Sequence, residues 1–132
     1  MAYEISWEPD GLYCRMHGEV PISEIVRSIE DETADPRYKS ASYRITDFLD
    51  ATSQNVTLGD VEGLSTIDAV RKELNANVLD AIVVTDPVIT KLVQYWVATN
   101  ERPDSIGIFT TMADAKAWLG QRAGKPVAAT PR

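Results

Sequence analysis

The sequence LDAIVVT at residues 79–85 is followed directly by Asp86 and Pro87, and this stretch decides the fold class. Residues 81–84 are apolar without alternation, which is typical of a strand that is covered on both faces. Asp86 favours a helix N-cap and Pro87 favours the first helical position, so a helix is predicted to begin where the strand ends. A covered strand that leads straight into a helix indicates an α/β domain with a parallel sheet, and residues 81–84 are our candidate for its centre.

Toward the C-terminus the alternation of strand and helix continues. A helix is predicted over residues 87–100, and residues 105–109 form the next strand. Residues 110–111 open a last helix, and Gly120 is expected to stop it because glycine readily adopts the left-handed conformation of a helix end.

Toward the N-terminus the pattern begins with a hairpin. Residues 3–7 and 12–17 alternate apolar and polar side chains around the turn-forming residues 8–11, which predicts two antiparallel strands. Residues 18–21 are then predicted to turn the chain into a helix over residues 22–33.

The first helix and the elements after it complete the pattern. The apolar stripe of this helix consists of Ile22, Ile25, Val26 and Ile29. Glu32 is among the charged residues assigned to its solvent side. Residues 43–48 are predicted as the third strand. One long helix is then predicted over residues 58–75, with Thr57 as its N-cap and Val70 on its buried face.

The complete order of elements is ββαβαβαβα. It predicts an α/β fold with a single domain over residues 1–120, built on a mixed, mostly parallel five-stranded open sheet flanked by helices. A chain of 132 residues is long enough for one such domain with its own core. Residues 121–132 combine small and basic residues, and we expect them to form a disordered tail.

The composition is that of an acidic globular protein. The net charge is −7, and because the tail beyond Gly120 contributes three positive charges and no negative one, residues 1–120 carry −10. Such a surface repels phosphate groups, so nucleic acid is not expected as a partner. No apolar stretch approaches the roughly 20 residues that span a bilayer, so membrane insertion is not expected. Cys14 has no disulfide partner in the chain and the N-terminal residues do not resemble a signal peptide, so we expect a cytoplasmic protein.

Polar residues collect where the predicted strands end and the helices begin, which is the edge that binds ligands in open α/β sheets. The candidate ligand-binding residues at this edge are His17, Asp47, Asp50, Thr85 and Thr110. Thr and Asp are also favoured there as helix caps and turn formers, so a purely structural role is the alternative. No glycine-rich phosphate loop accompanies them, and a single His with a single Cys does not define a metal site, so no cofactor and no metal are expected.

One arrangement has the residue types of a catalytic site. His17 beside Asp47 or Asp50 resembles a general base, although no recognisable nucleophile accompanies it. Cys14 shares an apolar strand face with Leu12 and Met16, where a thiol is inert. We therefore predict no catalytic residue and favour a binding protein over an enzyme.

Residues 88–97 form the most apolar of the predicted helices. Tyr95 and Trp96 widen its apolar stripe. Core packing explains such a stripe, and the alternatives are an apolar pocket or a homodimer interface, where aromatic residues are enriched. A protein partner, a second copy of the chain and a small apolar molecule such as a lipid all remain open as binding partners.

Several short stretches resemble a known family over residues 3–119. They are the hairpin Trp7…Gly11-Leu12, the turn at Gly18, Asp35-Pro36-Arg37, Asp47 at the end of the third strand, and Gly107-Ile108-Phe109-Thr110-Thr111…Asp114-Ala115…Ala117-Trp118-Leu119. Together with the order of elements they resemble the STAS-like domains, and in particular the small SpoIIAA-like proteins.

The resemblance implies a mixed sheet flanked by helices and a regulatory role rather than a catalytic one. Members of the family with known roles bind partner proteins, nucleotides or apolar ligands. The best-known members are anti-sigma-factor antagonists switched by phosphorylation of a serine after the third strand, in an Asp-Ser-Ser-Gly-like context. The corresponding stretch here is residues 50–55, which lacks the glycine and offers Ser53 and Thr52 as phosphorylation candidates.

Overall fold

One five-stranded sheet forms the centre of the protein in the computed structural model, which describes residues 2–124 and residue 127. The strands are β1 (Tyr3–Glu8), β2 (Gly11–Val20), β3 (Tyr43–Ser53), β4 (Leu79–Val83) and β5 (Ile106–Phe109). The helices are α1 (Ile22–Ala34), α2 (Leu58–Glu62), α3 (Ser65–Leu74), α4 (Pro87–Thr99) and α5 (Met112–Ala123), with short 3-10 turns at Pro36–Ser40 and Pro103–Ser105.

The sheet has the order β1-β2-β3-β4-β5. β1 pairs with β2 in an antiparallel hairpin, and the three remaining pairs are parallel. The predicted fold class, a single α/β domain with a mixed and mostly parallel five-stranded sheet, is therefore confirmed.

Helices cover the two faces of the sheet unequally. Helices α1 to α4 lie on one face, over a core that includes Leu12, Cys14 and Phe48. Among the described residues, α5 is the helix on the opposite face, where it packs on β4 and β5 and buries Ala115 and Leu119 completely. The face toward α1 to α4 therefore carries the larger layer of helices. On the opposite face, α5 packs on the β4 and β5 side of the sheet.

The decisive stretch at residues 81–84 is covered on both faces, as predicted. Ala81 and Val83 pack toward α5, whereas Ile82 and Val84 pack into the opposite core. All four side chains are at most 3% exposed. The predicted placement at the centre of the sheet is wrong, because β3 is the central strand and β4 lies between β3 and the edge strand β5. An unbroken apolar run indicates that a strand is buried, but it does not show that the strand is central. The buried strand β3 lacks such a run because it contains polar side chains.

Both β2 and β3 are longer than their patterns predict. Residues 18–20 continue β2 instead of turning, and β3 runs to Ser53 instead of ending at residue 48. The register between the two strands shifts after Arg15, so that His17 lies opposite Asp50. Such an irregularity interrupts the alternation of apolar and polar residues although the strands remain paired. The predicted ends of both strands therefore come too early.

The long helix predicted over residues 58–75 is two helices. Thr57 caps α2 in a reciprocal arrangement with Asp60: its Oγ1 accepts from the Asp60 N–H at 3.1 Å, and Asp60 Oδ2 accepts from the Thr57 N–H at 3.0 Å. Helix α2 ends at Glu62 with Gly63 as its C-cap, and α3 begins at residue 65. Because α3 turns Arg71 toward the core, Val70 is 52% exposed rather than buried as predicted.

At the C-terminus α5 continues past Gly120, so the predicted stop at that residue is wrong. Gly124, with a φ of 72°, caps the helix in the left-handed conformation, and its N–H donates to the Gly120 carbonyl at 2.9 Å. The prediction of a disordered tail falls on residues 125, 126 and 128–132, which lie outside the described residues.

Candidate functional site

An apolar pocket lies between the sheet and helices α1, α2 and α4. Its cavity measures about 80 Å³ and opens to the surface. Aliphatic and aromatic side chains form most of the wall, among them Met16, Val20, Ile25, Val61, Leu92 and Trp96. The polar residues of the wall are Arg44, Thr46, Ser53, Asp68 and Arg71. A concave and mostly apolar site with a few polar groups is the usual form of a small-molecule site.

Thr46 contributes a buried hydroxyl to the β3 side of this pocket. Side chains alternate along β3, so Ile45 packs toward α5 while Thr46 points to the pocket side. Thr46 is only 3% exposed, and its Oγ1 has no hydrogen-bond partner among the described residues. Leaving a buried hydroxyl unpaired costs about 1–3 kcal/mol, so Thr46 lowers the stability of the fold.

Arg44 anchors a buried ion-pair network beside Thr46. Its Nε donates to Glu32 Oε1, its Nη2 donates to Glu32 Oε2 at 3.1 Å, and its Nη1 lies 3.5 Å from Asp80 Oδ1. Burial opposes the positive charge of Arg44, but the carboxylates of Glu32 and Asp80 outweigh it and raise the pKa of the guanidinium. Glu32 is fully buried, which corrects its predicted place on the solvent side of α1. The arginine on the neighbouring strand supplies the charge that allows a carboxylate on this helix face.

Arg71 extends the network to the other side of the pocket. Its Nη2 donates to both carboxylate oxygens of Asp80 at 3.0 Å, its Nη1 donates to Asp68 Oδ1 at 3.1 Å, and its Nε donates to the Tyr38 hydroxyl at 3.1 Å. Trp96 Nε1 donates to Asp68 Oδ2 at 2.6 Å and ties α4 to α3. The charged groups at the pocket wall are thus already paired with one another.

Two exposed apolar side chains stand on helices that contribute to the pocket wall. Leu58 and Val88 are 50% and 56% exposed, and they stand at the first turns of α2 and α4, two helices in contact. Asn55 precedes α2 with a φ of 54°, a left-handed conformation that asparagine adopts more readily than most residues other than glycine.

The predicted edge residues His17, Asp47 and Asp50 lie on the opposite face of the sheet from the pocket. Asp47 is fully buried within β3, where its Oδ2 accepts from the Tyr13 hydroxyl at 2.5 Å and its Oδ1 accepts from the Leu49 N–H at 2.9 Å. Asp50 is exposed and pairs with Arg15 at 2.8 Å. His17 is half-buried, and its Nε2 lies 4.0 Å from Glu4 Oε1. The structure therefore brings these three residues onto adjacent strands and gives each an interaction partner of its own.

The remaining predicted residues are spread around the same edge. Thr85 and Thr110 are exposed after the ends of β4 and β5. Thr52 is exposed, whereas Ser53 is half-buried at the end of β3 and contributes to the pocket wall. Phosphorylation of either residue stays a prediction. Tyr95 donates its hydroxyl to Glu62 Oε1 at 2.6 Å, which links α4 to α2.

No family model matches the chain, and no curated protein sequence matches it. Solved structures do match. The anti-sigma factor antagonist SpoIIAA in its unphosphorylated form is 11% identical with a TM-score of 0.60, over 93% of this chain and 99% of that chain. The Bacillus cell fate determinant SpoIIAA in its phosphorylated form is 15% identical with a TM-score of 0.53, over 89% of this chain and 99% of that chain.

A third structure belongs to a DUF3478-family protein with a SpoIIAA-like fold from Shewanella loihica. It is 17% identical with a TM-score of 0.51, over 89% of this chain and 92% of that chain. The chain has the SpoIIAA-like fold. At these identities the likeness concerns the fold, so the site of this SpoIIAA-like domain has to be argued from its own residues.

Sequence reasoning missed most of the pocket of this SpoIIAA-like domain. Trp96 was predicted to line an apolar pocket or interface, and it lies in the pocket wall. Thr46, Arg44 and Arg71 were not candidates, because the sequence alone does not show whether a polar residue within a strand or helix is buried. The available signal was the spacing in α1, where Ile25, Ser28, Ile29 and Glu32 fall on one helical stripe.

A second, more polar cleft of about 390 Å³ lies on the other side of Asp68, Arg71 and Trp96, between α3 and the end of α4. Across it Lys72 Nζ pairs with Glu101 Oε2 at 2.8 Å. Among residues 2–124 and 127, no group of three or more His, Cys, Asp or Glu side chains is arranged to hold a metal ion. None of the helices in that same part of the chain has the length and apolarity to cross a membrane.

Proposed function

We propose that this SpoIIAA-like domain is a non-catalytic binding protein whose apolar pocket holds a small apolar molecule. The observation that carries the proposal is a cavity that opens to the surface and has a mostly aliphatic and aromatic wall. An empty apolar cavity costs stability, because its wall loses the contacts that close packing would provide. A bound ligand restores those contacts.

Filling the pocket is the direct test of this function. Val61 is 6% exposed in the pocket wall, so Val61→Phe is expected to occupy the space of the ligand. Val70→Phe is the matched control, because Val70 is exposed on α3 and outside the wall. Native mass spectrometry of the purified proteins is expected to show a co-purifying small molecule with the wild type and with Val70→Phe, and none with Val61→Phe.

The same variants separate the proposal from a general loss of folding. Overpacking in Val61→Phe costs roughly 1–3 kcal/mol, so thermal unfolding must show that the variant is folded at the temperature of the measurement. A ligand that stays bound to folded Val61→Phe contradicts the proposal. Absence of any bound molecule from the wild type, together with no binding of benzene added at millimolar concentration, contradicts it as well.

Association through the surface around the first turns of α2 and α4 is the second candidate function, and the exposed apolar side chains of Leu58 and Val88 favour it. SpoIIAA, the similar fold, is by name an antagonist of an anti-sigma factor. A second copy of the chain is the partner that tests this surface directly. Analytical ultracentrifugation is expected to show a dimer that Leu58→Asp with Val88→Asp dissociates and Val70→Asp preserves. A monomeric wild type at high concentration excludes this interface.

A further inference from the structure

We propose that the free edge of β1 binds an extended, basic segment of a partner protein, which adds to the sheet as a further strand. The inference goes beyond the proposed function, because the described residues of β1 lie outside the wall of the apolar pocket. It rests on a row of outward-facing backbone groups and on the charge of the side chains beside them.

The hydrogen bonds of the hairpin show which backbone groups of β1 face outward. β1 and β2 pair in an unbroken register, and the carbonyl of Ala2, just before β1, accepts from the His17 N–H at 2.9 Å. Hydrogen-bonded and non-hydrogen-bonded pairs alternate along an antiparallel ladder, so every second residue of β1, beginning with Glu4, also bonds to β2. The backbone N–H and C=O groups of the residues between them point away from β2. These residues are Tyr3, Ile5 and Trp7.

In the part of the chain that the structure describes, no other element takes up these outward-facing groups. β1 is the first strand in the order of the sheet, and no hydrogen bond joins the backbone of Tyr3, Ile5 or Trp7 to another element. Proline, lysine and a short strand are common protections of a sheet edge. β1 has six residues without proline or lysine, whereas the other edge strand, β5, has four residues. β1 therefore offers an added strand the longer edge.

Carboxylates beside this edge determine the chemistry of the partner strand. The side chain of Glu4 is 70% exposed, and Arg15, opposite it on β2, already pairs with Asp50 at 2.8 Å. Glu8 lies further along the same face of β1. Opposite charges on neighbouring strands attract, and like charges directly opposite each other repel. A strand with lysine or arginine at alternate positions therefore fits this edge, and an acidic strand does not.

The other face of the edge favours apolar residues in the partner. Ile5 and Trp7 are partly buried there against the core beneath α1. Side chains alternate between the two faces of a strand, so a partner that turns its basic residues toward Glu4 turns the residues between them toward this apolar side. The partner segment thus alternates basic and apolar residues, which is the usual pattern of strand addition with pockets for alternate side chains.

A second copy of the chain is less suited to this edge than a basic partner. It brings the carboxylates of its own Glu4 and Glu8 to the contact, and each copy carries a net charge of −7. Like net charge opposes association, whereas opposite charge speeds it.

Two capped peptides as long as β1 test the charge of the partner, one of alternating valine and lysine and one of alternating valine and glutamate. Each is titrated into the full chain and followed by backbone NMR. The lysine peptide is expected to bind at least about 2-fold more tightly, because it meets opposite charges where the glutamate peptide meets like charges. Glu4→Lys is expected to abolish this preference. Glu19→Lys is the matched control with the same change in net charge, because Glu19 is exposed on β2 beyond the residues that pair with β1, and it is expected to retain the preference.

Amide hydrogen exchange locates the bound peptide. In the free protein the N–H groups of Tyr3, Ile5 and Trp7 are expected to exchange rapidly, whereas those of Glu4 and Ser6 exchange slowly because they bond to β2. At about 90% saturation with the lysine peptide, exchange of the Ile5 N–H is expected to slow about 10-fold, since about a tenth of the molecules keep a free edge.

Each other outcome overturns the inference. Slow exchange of the Ile5 N–H in the dilute free protein shows that the edge is already covered. Slowing that appears as the concentration of the protein rises, without peptide, assigns the edge to a second copy. Equal binding of the two peptides, a preference that persists in folded Glu4→Lys, or binding that leaves the Ile5 N–H unprotected contradicts recognition of a basic strand at β1.

Discussion

Replacement of Thr46 by valine is expected to stabilise the ligand-free protein. Valine has nearly the shape of threonine, so the change removes the unpaired hydroxyl without opening a cavity. The cost of an unpaired buried hydroxyl is about 1–3 kcal/mol, so the free energy of unfolding is expected to rise by about 1–2 kcal/mol when water partly hydrates the site. For a domain of this size each kcal/mol corresponds to about 3–5 °C in Tm.

Urea unfolding followed by circular dichroism measures this change, after any bound ligand has been removed. Thr33→Val is the matched control, because the Thr33 hydroxyl is already paired and donates to the Ile29 carbonyl at 2.9 Å. The control is expected to lose up to about 1 kcal/mol. A loss of 1 kcal/mol or more in Thr46→Val refutes the reasoning, because it shows that the hydroxyl has a partner in the folded chain.

Three further predictions concern the parts of the fold that support the pocket. Arg44→Met is expected to reduce the free energy of unfolding by about 3–5 kcal/mol, because it strands the buried carboxylate of Glu32, and a loss below 1 kcal/mol in urea unfolding contradicts this. Cys14 is expected not to react with iodoacetamide at pH 8 in the folded protein, because burial raises the pKa of its thiol to about 12, and to react fully in urea. Rapid labelling of the folded protein, detected by mass spectrometry, contradicts this. Asp86→Ala is expected to lower Tm through a loss of about 1 kcal/mol, since Asp86 Oδ2 accepts from the Val88 and Ile89 N–H groups at 3.1 and 3.0 Å, and an unchanged Tm counts against that role.

The fold class could be predicted from the sequence, because most strands and helices carry local signals in their own residues. The apolar run at residues 81–84 marks a covered strand, and Asp86 with Pro87 marks the start of α4. Thr111 caps α5 as its position suggests, with its Oγ1 accepting from the Asp114 N–H at 3.2 Å. Such signals depend on a few neighbouring residues, so they survive without knowledge of the tertiary structure.

The order of the strands and the pocket depend instead on contacts between distant residues. The central strand β3 has both faces buried, yet Arg44, Thr46 and Asp47 interrupt its apolar residues, so its sequence lacks the unbroken apolar run of a covered strand. Glu32 is twelve residues from Arg44 in sequence, and its burial follows from that single pairing. A hydrophobic pattern assigns each polar side chain to solvent, and it fails wherever two buried polar groups satisfy each other.

A crystal structure of the protein grown with benzene tests the central claim most directly. The expected result is a benzene ring in the apolar pocket between α1, α2 and α4, in contact with side chains such as Val61 and Leu92. Benzene bound on the opposite face of the sheet, or a pocket that holds only ordered water, contradicts the account.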